Sequence, residues 1–349
     1  MPEKVVLAMS GGVDSCVSAY LLKQHGYLPI GVSFLLYDGQ SFENAKLVSE
    51  KIGIEHHLID LQDMFRKSII EPFINEYLSG NTPNPCVMCN PNIKWDTLIK
   101  LAQDLKADYI ATGHYARVVQ DEKSKRVKLL KGIDRFKDQS YALWGLKQYQ
   151  LVKTLFPLGE ITKEEVKKLA TKLELADQEV RESQELCFIP EGDYRKFLLK
   201  YASEITSRFG HGEIVTESGE VVGYHRGFYN FTIGQRKGLK IAFGKRMYVK
   251  RIDPERNLVV VAEDSALFSK GMILKNVNWV SIEETENIAG ICKIRYSHSG
   301  VWATAKRLEN GKMEVIFREP QRAVTPGQSG VMYDGETLLL GGIIEKVLN

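Results

Sequence analysis

The amino-acid sequence predicts an α/β protein whose first half forms a doubly wound parallel sheet and whose last third forms two small β modules. From residue 4 to about residue 173, apolar runs of strand length alternate with apolar residues at helical spacing. This pattern is typical of a parallel sheet covered by helices on both faces. From about Gly212 the sequence changes to short β runs separated by turn signals. At 349 residues, the chain is long enough for two or three domains.

The elements predicted in the first half follow one another along the chain. They are strands at residues 4–9, 28–34, 57–61 and 109–111, and helices at residues 13–25, 41–52, 63–78, 95–105 and 162–173. Thr162-Lys-Glu-Glu165 predicts a capping box at the start of the last of these helices. Residues 79–92 predict an irregular loop, because one glycine and three prolines interrupt regular structure there.

Turn signals divide the β-rich region. Asp253-Pro-Glu-Arg-Asn257 predicts a turn between two strands, Asn310-Gly311 a hairpin, and Pro326-Gly327 a further turn. We expect the two β modules to meet near residues 266–270.

The composition indicates a globular cytoplasmic protein. A net charge of +3 is too small to argue for or against nucleic acid. Five cysteines are too few for a disulfide framework, which points to a reducing compartment. The N-terminal residues show no secretory signal pattern, and no apolar run approaches the roughly 18 residues of a membrane helix. We therefore expect no membrane partner.

The most specific motif is Ser10-Gly-Gly-Val-Asp-Ser15, which lies between a predicted strand and a predicted helix. Its glycines allow a tight turn, and its hydroxyls together with the amides of the helix start can bind oxyanions. The motif therefore predicts a phosphate loop at residues 10–15. It is neither the P-loop nor the dinucleotide fingerprint, because no lysine follows the glycines and their spacing differs.

Asp14 is the informative position of the phosphate loop. An acid there would repel phosphate unless it held Mg²⁺ or a nearby helix amide. The alternative is an ordinary glycine turn in which Asp14 and Ser15 serve as helix caps.

A second glycine-bearing turn, Ala111-Thr-Gly-His-Tyr115, follows another predicted strand. It should lie at the same carboxyl edge of the sheet, where doubly wound folds bind ligands. Gly113 would allow the backbone to approach a nucleotide. His114 would face the substrate or cap the strand as a structural histidine.

The cysteines at Cys86, Cys89 and Cys187 leave three interpretations open. A zinc site would be one ligand short unless a histidine such as His114 joined it. An iron–sulfur cluster would use the three thiolates. A redox pair, in which one thiol carries a persulfide and another attacks it, would need exposed thiolates of low pKa.

Burial in an apolar environment is the remaining explanation for a cysteine, and it suits Cys16 and Cys292. It suits Cys89 and Cys187 poorly, because the segments that hold them, residues 79–92 and 182–189, are rich in Pro, Asn and Gln and offer little core to fill.

Charge is segregated along the chain. Residues 225–251 hold eight basic residues and no acid, which leaves 39 basic against 44 acidic residues elsewhere. The aromatic residues interleaved with them predict a surface that pairs phosphates and packs on ribose or bases. These aromatic residues are Phe228, Tyr229, Phe231, Phe243 and Tyr248. Residues 123–137 form a second basic cluster, and the alternative for both is a solvated hairpin face.

Taken together in order and spacing, these motifs resemble those of the bacterial tRNA-specific 2-thiouridylases, which belong to the PP-loop ATP pyrophosphatases. The resemblance runs nearly end to end. It depends on Met9-Ser-Gly-Gly-Val-Asp-Ser15, Thr82-Pro-Asn-Pro-Cys-Val-Met-Cys-Asn90, Ala111-Thr-Gly-His-Tyr115, Lys137-Asp-Gln-Ser140, Cys187-Phe-Ile189, Phe231-Thr-Ile-Gly-Gln-Arg-Lys-Gly-Leu239, Arg295-Tyr296 and Thr325-Pro-Gly-Gln328.

The resemblance implies a PP-loop catalytic domain at residues 1–205, a central β-rich tRNA-contacting domain at residues 206–266 and a C-terminal β-barrel at residues 267–349. It implies that ATP is bound by Ala8, Met9, Ser10, Gly11, Gly12, Val13, Asp14, Ser15, Phe34 and Gly113. It implies that tRNA is contacted by Asn84, Pro85, Cys86, His114, Lys137, Asp138, Gln139, Arg295, Tyr296 and Gln328, the first three of which meet the target base. Two positions depart from the usual family residues, since Phe34 replaces a frequent Met and Cys86 a frequent Asp.

The resemblance also implies the chemistry. ATP, with Mg²⁺, converts the 2-carbonyl oxygen of the wobble uridine to an adenylate and releases pyrophosphate. Cys187 carries a persulfide that a cysteine desulfurase or a sulfur-relay protein supplies, and Cys89 is the nucleophile. The resemblance favours this thiol pair over an iron–sulfur cluster, although the third thiol at Cys86 keeps the cluster open. Two rivals remain, a small-molecule PP-loop ligase and a non-catalytic metal-binding RNA-binding protein.

Overall fold

A computed structural model describes residues 2–175, 186–189, 192–201, 203, 209–241 and 244–349. Three features of the sequence interpretation lie outside these residues. They are the predicted boundary between residues 205 and 206, the segment 182–185 that leads to Cys187, and Phe243.

In the described part of the chain, α-helices alternate with strands as far as Tyr201, and strands dominate the remainder. The strands are β1 (Lys4–Ala8), β2 (Leu28–Leu35), β3 (His56–Asp60), β4 (Tyr109–Ala111), β5 (Ala116–Gln120), β6 (Val127–Lys131), β7 (Thr154–Leu155), β8 (His211–Thr216), β9 (Val221–Arg226), β10 (Tyr248–Asp253), β11 (Leu258–Ala262), β12 (Phe268–Trp279), β13 (Asn287–Lys293), β14 (Val301–Arg307), β15 (Met313–Arg322), β16 (Ser329–Asp334) and β17 (Thr337–Leu348). The α-helices are α1 (Val13–Gln24), α2 (Glu43–Ile52), α3 (Gln62–Phe65), α4 (Glu71–Leu78), α5 (Pro85–Cys89), α6 (Asp96–Asp104), α7 (Gln148–Leu151), α8 (Lys163–Lys172) and α9 (Tyr194–Tyr201).

The first half folds as a parallel sheet in the order β3-β2-β1-β4-β7, which confirms the predicted fold class. The chain moves outward from β1 to β3 on one side and then crosses to β4 on the other side of β1. The strand order therefore reverses between β1 and β4, where Val5 pairs with Tyr109 and Leu7 with Ala111. In doubly wound folds the ligand crevice lies at this switch point.

The prediction of an irregular loop over residues 79–92 is wrong from Pro85 onward. Residues Pro85–Cys89 form α5, and a π-helical segment at Asn90–Trp95 continues directly into α6. Pro85 occupies the start of α5, where its fixed φ and missing N–H fit a helix rather than break it. A second π-helical segment, Arg66–Ile70, joins α3 to α4 within the predicted helix 63–78.

The β-rich region forms the two predicted modules. The central module is a four-stranded sheet in the order β10-β11-β8-β9. The C-terminal strands run β12-β15-β14-β13-β16-β17, and pairing between β12 and β17 closes them into a barrel. The exact limits of the three domains remain predictions.

The hairpin β5–β6 was missing from the sequence interpretation. It belongs to the N-terminal half by sequence, yet β6 pairs with β17 and extends the barrel sheet, with Leu130 opposite Thr337. The pairing is non-local, so no short-range pattern in the sequence indicates it. The hairpin ties the barrel to the parallel-sheet domain.

Among the described residues, no helix combines the length and the apolar character that crossing a bilayer would require.

Candidate active site

The phosphate loop follows β1 at the switch point, and its conformation is held by its own hydroxyls. The Ser15 hydroxyl donates to the Gly12 carbonyl oxygen over 2.9 Å, and the Ser10 amide donates to Ser15 Oγ over 3.2 Å. Gly11 has a positive φ of 80°, which favours glycine. Gly12 is the N-cap of α1 and provides no side-chain cap. Asp14 and Ser15 thus lie inside the first turn of α1 and are not its N-cap.

Asp14 forms an ion pair that the sequence interpretation missed. Its Oδ1 accepts hydrogen bonds from Lys163 Nζ and from the Tyr115 hydroxyl, each over 2.7 Å. The Lys163 side chain is only 9% exposed, whereas that of Asp14 is 36% exposed. The lysine therefore offsets the charge that would repel a phosphate.

Lys163 reaches the phosphate loop because α8 begins there. Thr162 Oγ1 accepts a hydrogen bond from the Glu165 amide, and the Glu165 carboxylate accepts one from the Thr162 amide, which confirms the predicted capping box. The Lys163 amide donates to Asp134 Oδ2 over 2.9 Å. The capping box marks the start of α8 in the sequence, but only the tertiary packing places that start beside Asp14.

The turn after β4 packs directly on the phosphate loop. A Cβ added to Gly113 would lie 3.1 Å from both the carbonyl carbon of Asp14 and the amide nitrogen of Ser15. The close approach of the two backbones therefore favours glycine at this position, because a side chain would press on the backbone of the loop. Ala8 ends the neighbouring strand β1, and Phe34 lies buried in β2 alongside it. The residues expected to bind ATP thus surround one edge of the sheet.

His114, the next residue in that turn, is held as a neutral side chain. Its Nδ1 lies 2.8 Å from Thr112 Oγ1, and its ring centroid lies 5.5 Å from that of Trp95. Burial, with a smaller contribution from the nearby Lys94 ammonium, lowers the pKa of His114 to about 3. The histidine therefore carries no charge at neutral pH in this conformation.

Cys86, Cys89 and Cys187 are each close enough to Lys94 for its charge to affect their thiols, and we call these four residues the thiol cluster. The Lys94 ammonium acts to lower the pKa of each of the three thiols. Burial acts to lower the pKa of Lys94, but the negative charge that the three cysteines carry when they are ionised raises it above its ordinary value. Lys94 thus stays charged, and the sequence interpretation had not identified it.

The thiol that is expected to be the nucleophile is buried. Cys89 is 5% exposed, because helix α5 turns it toward the core together with Val87. Burial raises the pKa of Cys89 to about 12, although Lys94 opposes this shift. The redox-pair interpretation requires exposed thiolates of low pKa, and Cys89 does not meet that requirement in this conformation. Cys187 is exposed, yet desolvation of its thiol also raises its pKa.

Within the part of the chain that the structure describes, all five cysteines are free. In the same part, no three His, Cys, Asp or Glu side chains are placed to ligate one metal ion. The positions of Cys86, Cys89 and Cys187 therefore favour neither a zinc site nor an iron–sulfur cluster. Cys16 and Cys292 are buried, as predicted.

Several residues expected to contact tRNA also hold the turns that surround the site. Gln139 Oε1 accepts a hydrogen bond from the Tyr115 amide over 3.0 Å. Asp138 Oδ1 accepts one from the Ser140 amide over 3.0 Å, and the Asp138 carbonyl oxygen accepts one from the Tyr296 hydroxyl over 3.0 Å. The structure thus brings the segment Lys137–Gln139 together with the exposed ring of Tyr296.

A second contact joins the barrel to the segment that precedes α5. Gln328 Nε2 donates to the Thr82 carbonyl oxygen over 2.8 Å, and the Thr82 amide donates to the Pro326 carbonyl oxygen over 3.0 Å. Asn84, the N-cap of α5, follows two residues later. The remaining predicted contact, Arg295, donates from Nη1 to the Arg322 carbonyl oxygen over 3.4 Å and lies on the barrel.

The basic stretch at residues 225–251 divides differently from the prediction. Phe228, Tyr229 and Phe231 are buried and form the core of the central module instead of facing RNA. The Tyr248 ring lies under the Arg322 guanidinium, 4.8 Å from its carbon. The basic side chains remain outside, because charged groups keep their hydration. The exposed ones are Arg226, Arg236, Lys237, Lys240, Lys245, Arg246 and Arg251.

Comparison with known proteins places the whole chain in one family. Residues 3–191 match the family described as tRNA methyl transferase HUP domain, residues 195–263 match the tRNA methyl transferase PRC-barrel domain, and residues 269–344 match the aminomethyltransferase beta-barrel domain.

Curated relatives match over nearly their full length. The chain is 46% identical to tRNA-specific 2-thiouridylase MnmA 1 of Caldanaerobacter subterraneus subsp. tengcongensis, over 99% of this chain and 98% of the relative. It is 44% identical to tRNA-specific 2-thiouridylase MnmA of Carboxydothermus hydrogenoformans over the same shares. Among solved structures, a 4-thiouridine synthetase in complex with RNA and bound ATP matches 54% of this chain and 45% of that chain, at 16% identity and a TM-score of 0.37.

Proposed function

The chain belongs to the family of tRNA-specific 2-thiouridylases, and on this basis we propose that it converts the wobble uridine of tRNA to 2-thiouridine at the expense of ATP. The enzyme is a sulfurtransferase, and its reaction releases AMP and pyrophosphate. We expect it to work in the cytoplasm, where its tRNA substrate and ATP meet.

One observation carries the proposal. The turn at residues 112–115 approaches the phosphate loop closely at Gly113. The next residue, His114, is near enough to Lys94 of the thiol cluster for the ammonium charge to lower its pKa. One short turn thus connects the residues expected to bind ATP with the thiols expected to transfer sulfur. Methyl transfer, which the family description names, does not require ATP, whereas activation followed by sulfur transfer requires both ATP and thiols.

The phosphate loop serves the first step. The uracil 2-carbonyl is a poor electrophile, so its oxygen attacks the α-phosphorus of ATP and pyrophosphate leaves. The amides at the start of α1 face the developing negative charge, and fixed dipoles of this kind stabilise a transition state. The loop also offers the Asp14 carboxylate and two serine hydroxyls, which are oxygen ligands that suit Mg²⁺. Mg²⁺ held there would neutralise phosphate charge.

The thiol cluster serves the second step. Cys89 as a thiolate attacks the inner sulfur of a Cys187 persulfide, which forms a Cys89–Cys187 disulfide and releases hydrosulfide. The hydrosulfide attacks the activated carbon, and AMP leaves. In the alternative order, the terminal sulfur attacks first and Cys89 resolves the intermediate. In both orders a dithiol reductant returns two electrons to the disulfide.

Substrate and donor complete the proposal. The exposed basic side chains of the central module would pair with tRNA phosphates. The target base must leave the anticodon stack, and flipping a base out of its stack costs about a few kcal/mol. The flipped base would be received by Asn84, Pro85 and Cys86. The exposed position of Cys187 suits delivery of a persulfide by a cysteine desulfurase or a sulfur-relay protein.

The test uses anaerobically purified protein with tRNA, Mg-ATP and a persulfide donor. Wild type, Cys89→Ser, Cys187→Ser and the control Cys292→Ala are compared for 2-thiouridine and for pyrophosphate. We expect both serine variants to lose thiolation while they still release pyrophosphate with tRNA, and the control to retain thiolation.

Three results would contradict the proposal. Thiolation by Cys187→Ser with the persulfide donor as the only sulfur source removes the carrier role. Pyrophosphate release that depends on a small molecule instead of tRNA supports a different ligase. Tight tRNA binding without any ATP turnover supports a non-catalytic RNA-binding protein.

A further inference from the structure

The ring of Phe136 is 96% exposed, more than any other large hydrophobic side chain among the described residues. An apolar ring in water forgoes the favourable free energy of burial. Neither the ATP site nor the thiol cluster uses this residue, and the resemblance assigns it no role. The ring is therefore free to contact a partner, and its surroundings indicate which kind of partner fits.

The turn that carries Phe136 is well anchored, so the exposure is a feature of the fold. Asp134 Oδ1 accepts hydrogen bonds from the Phe136 amide over 3.0 Å and from the Lys137 amide over 3.3 Å. The Ile133 amide donates to the Gly159 carbonyl oxygen over 3.1 Å. The backbone on both sides of Phe136 is thus fixed, which lowers the entropy cost of binding a partner on its ring.

The surroundings of the ring favour a nucleic acid over an apolar protein surface. Arg135 and Lys137 flank Phe136 in the sequence, at the end of the basic cluster at residues 123–137. Tyr296 presents a second exposed ring close to this turn, because its hydroxyl donates a hydrogen bond to the carbonyl oxygen of Asp138. Aromatic faces beside cations are typical of surfaces that stack unpaired bases and pair the adjoining phosphates.

The same turn is connected to the phosphate loop. Asp134 Oδ2 accepts a hydrogen bond from the Lys163 amide, and the Lys163 ammonium pairs with Asp14. A nucleotide stacked on Phe136 would therefore lie near the edge of the sheet where the ATP residues gather.

We propose that Phe136 is a stacking platform for an unpaired nucleobase of the tRNA substrate, with Arg135 beside it for a neighbouring phosphate. This inference rests on the proposed function, because it names a contact of the same tRNA. The contact is made by the ring face, so any aromatic side chain at this position supports it.

The experiment measures tRNA binding without ATP or sulfur donor over a series of salt concentrations. It compares wild type, Phe136→Ala, Phe136→Trp and Leu47→Ala, an exposed apolar side chain on α2 that serves as a matched control. We expect Phe136→Ala to weaken binding about five- to 150-fold, which corresponds to about 1–3 kcal/mol at 1.4 kcal/mol per tenfold change. The salt dependence should stay unchanged, because no charge is lost. Phe136→Trp should retain affinity, and Leu47→Ala should match wild type.

The outcomes separate this inference from the function it rests on. Wild-type affinity in Phe136→Ala, or equal losses in Phe136→Ala and Phe136→Trp, overturns the stacking role while the function stands. A Phe136→Ala protein that binds tRNA normally but no longer accepts sulfur from a persulfide-donor protein also overturns it and makes the ring part of a protein interface. A wild type that binds no tRNA defeats the proposed function itself.

Discussion

The turn at residues 112–115 links the phosphate loop to the thiol cluster, since Gly113 approaches the loop and the pKa of His114 is influenced by Lys94. The two regions differ in how far their chemistry is prepared. In the phosphate loop, the two serine hydroxyls are hydrogen-bonded and the one acid is paired with Lys163. In the thiol cluster, the expected nucleophile Cys89 is buried, and its pKa of about 12 keeps it protonated.

The difference follows from what each region must do. Stabilising charge on a triphosphate requires dipoles that are fixed before the reaction, because reorganising them costs free energy. Sulfur transfer requires thiols that change partners, from an external donor to each other and then to a reductant. We therefore infer that the phosphate loop works in its present conformation and that Cys89 must gain a base or solvent before it reacts.

The largest expected effect tests the rigidity of the phosphate loop. Gly113→Val places a side chain against the backbone of Asp14 and Ser15, which cannot move without shifting the loop. We expect ATP-dependent pyrophosphate release to fall about 100-fold, as for small misplacements of a bound substrate. Alkylation of Cys187 should be unaffected, which separates a local change from unfolding. Near-normal release would mean that the loop adapts.

A smaller effect is expected when the charge in the phosphate loop is left unpaired. Lys163→Met leaves the Asp14 carboxylate uncompensated, so the KM for ATP should rise about tenfold, a moderate change because Asp14 is partly exposed to water. Lys163→Arg should restore most of the affinity. Equal KM values in wild type and Lys163→Met would show that the ion pair only supports the fold.

The thiol cluster is tested by the pH dependence of its reactivity. Lys94 lowers the pKa of Cys187, so Lys94→Met should raise that pKa and move alkylation of Cys187 to higher pH. At a fixed pH below the pKa, each tenfold loss of thiolate slows alkylation about tenfold. Lys100→Met, at an exposed position of α6, is the control. Alkylation profiles followed by mass spectrometry should differ only for Lys94→Met.

The smallest effect concerns His114, which lies between the two regions. Its pKa is about 3 in the folded protein and about 6.5 in the unfolded chain. As the pH falls, the unfolded state therefore binds a proton before the folded state does. The stabilisation that depends on a neutral His114 is complete above about pH 6.5 and is lost as the pH falls toward about 3. The melting temperature of His114→Gln should decline less between about pH 7 and about pH 5 than that of wild type or of His25→Gln. Parallel declines would contradict this assignment.

The sequence predicted most of the parallel-sheet domain, because its signals are local. Apolar periodicity, Gly11 and the capping box at Thr162 all act within a few residues of the chain. The same local reasoning failed at Pro85, where proline begins a helix, and at Phe228, where an aromatic residue among basic ones faces inward. In both places the local structure depends on the position of the residue in its element and on the segments packed around it, which residue type alone does not reveal.

The candidate site divides in the same way. The phosphate loop and the three thiols at Cys86, Cys89 and Cys187 were identified from residue types and spacing, whereas the resemblance implied the roles of Cys89 and Cys187. Lys94 and Lys163 were missed, although each sets the charge of one half of the site. No short-range signal distinguishes them from the other lysines, because their importance depends on the side chains that packing brings beside them.

The sequence by itself determined the parallel α/β domain, the phosphate loop, the β modules that follow and which thiols are candidates for sulfur transfer. Each of these depends on residue type, spacing and order along the chain. The tertiary structure alone decided that Lys163 pairs with Asp14, that Lys94 joins three thiols, that the β5–β6 hairpin extends the barrel and that Cys89 is buried. These depend on contacts between residues far apart in sequence, because electrostatic pairing and desolvation are set by distance in space.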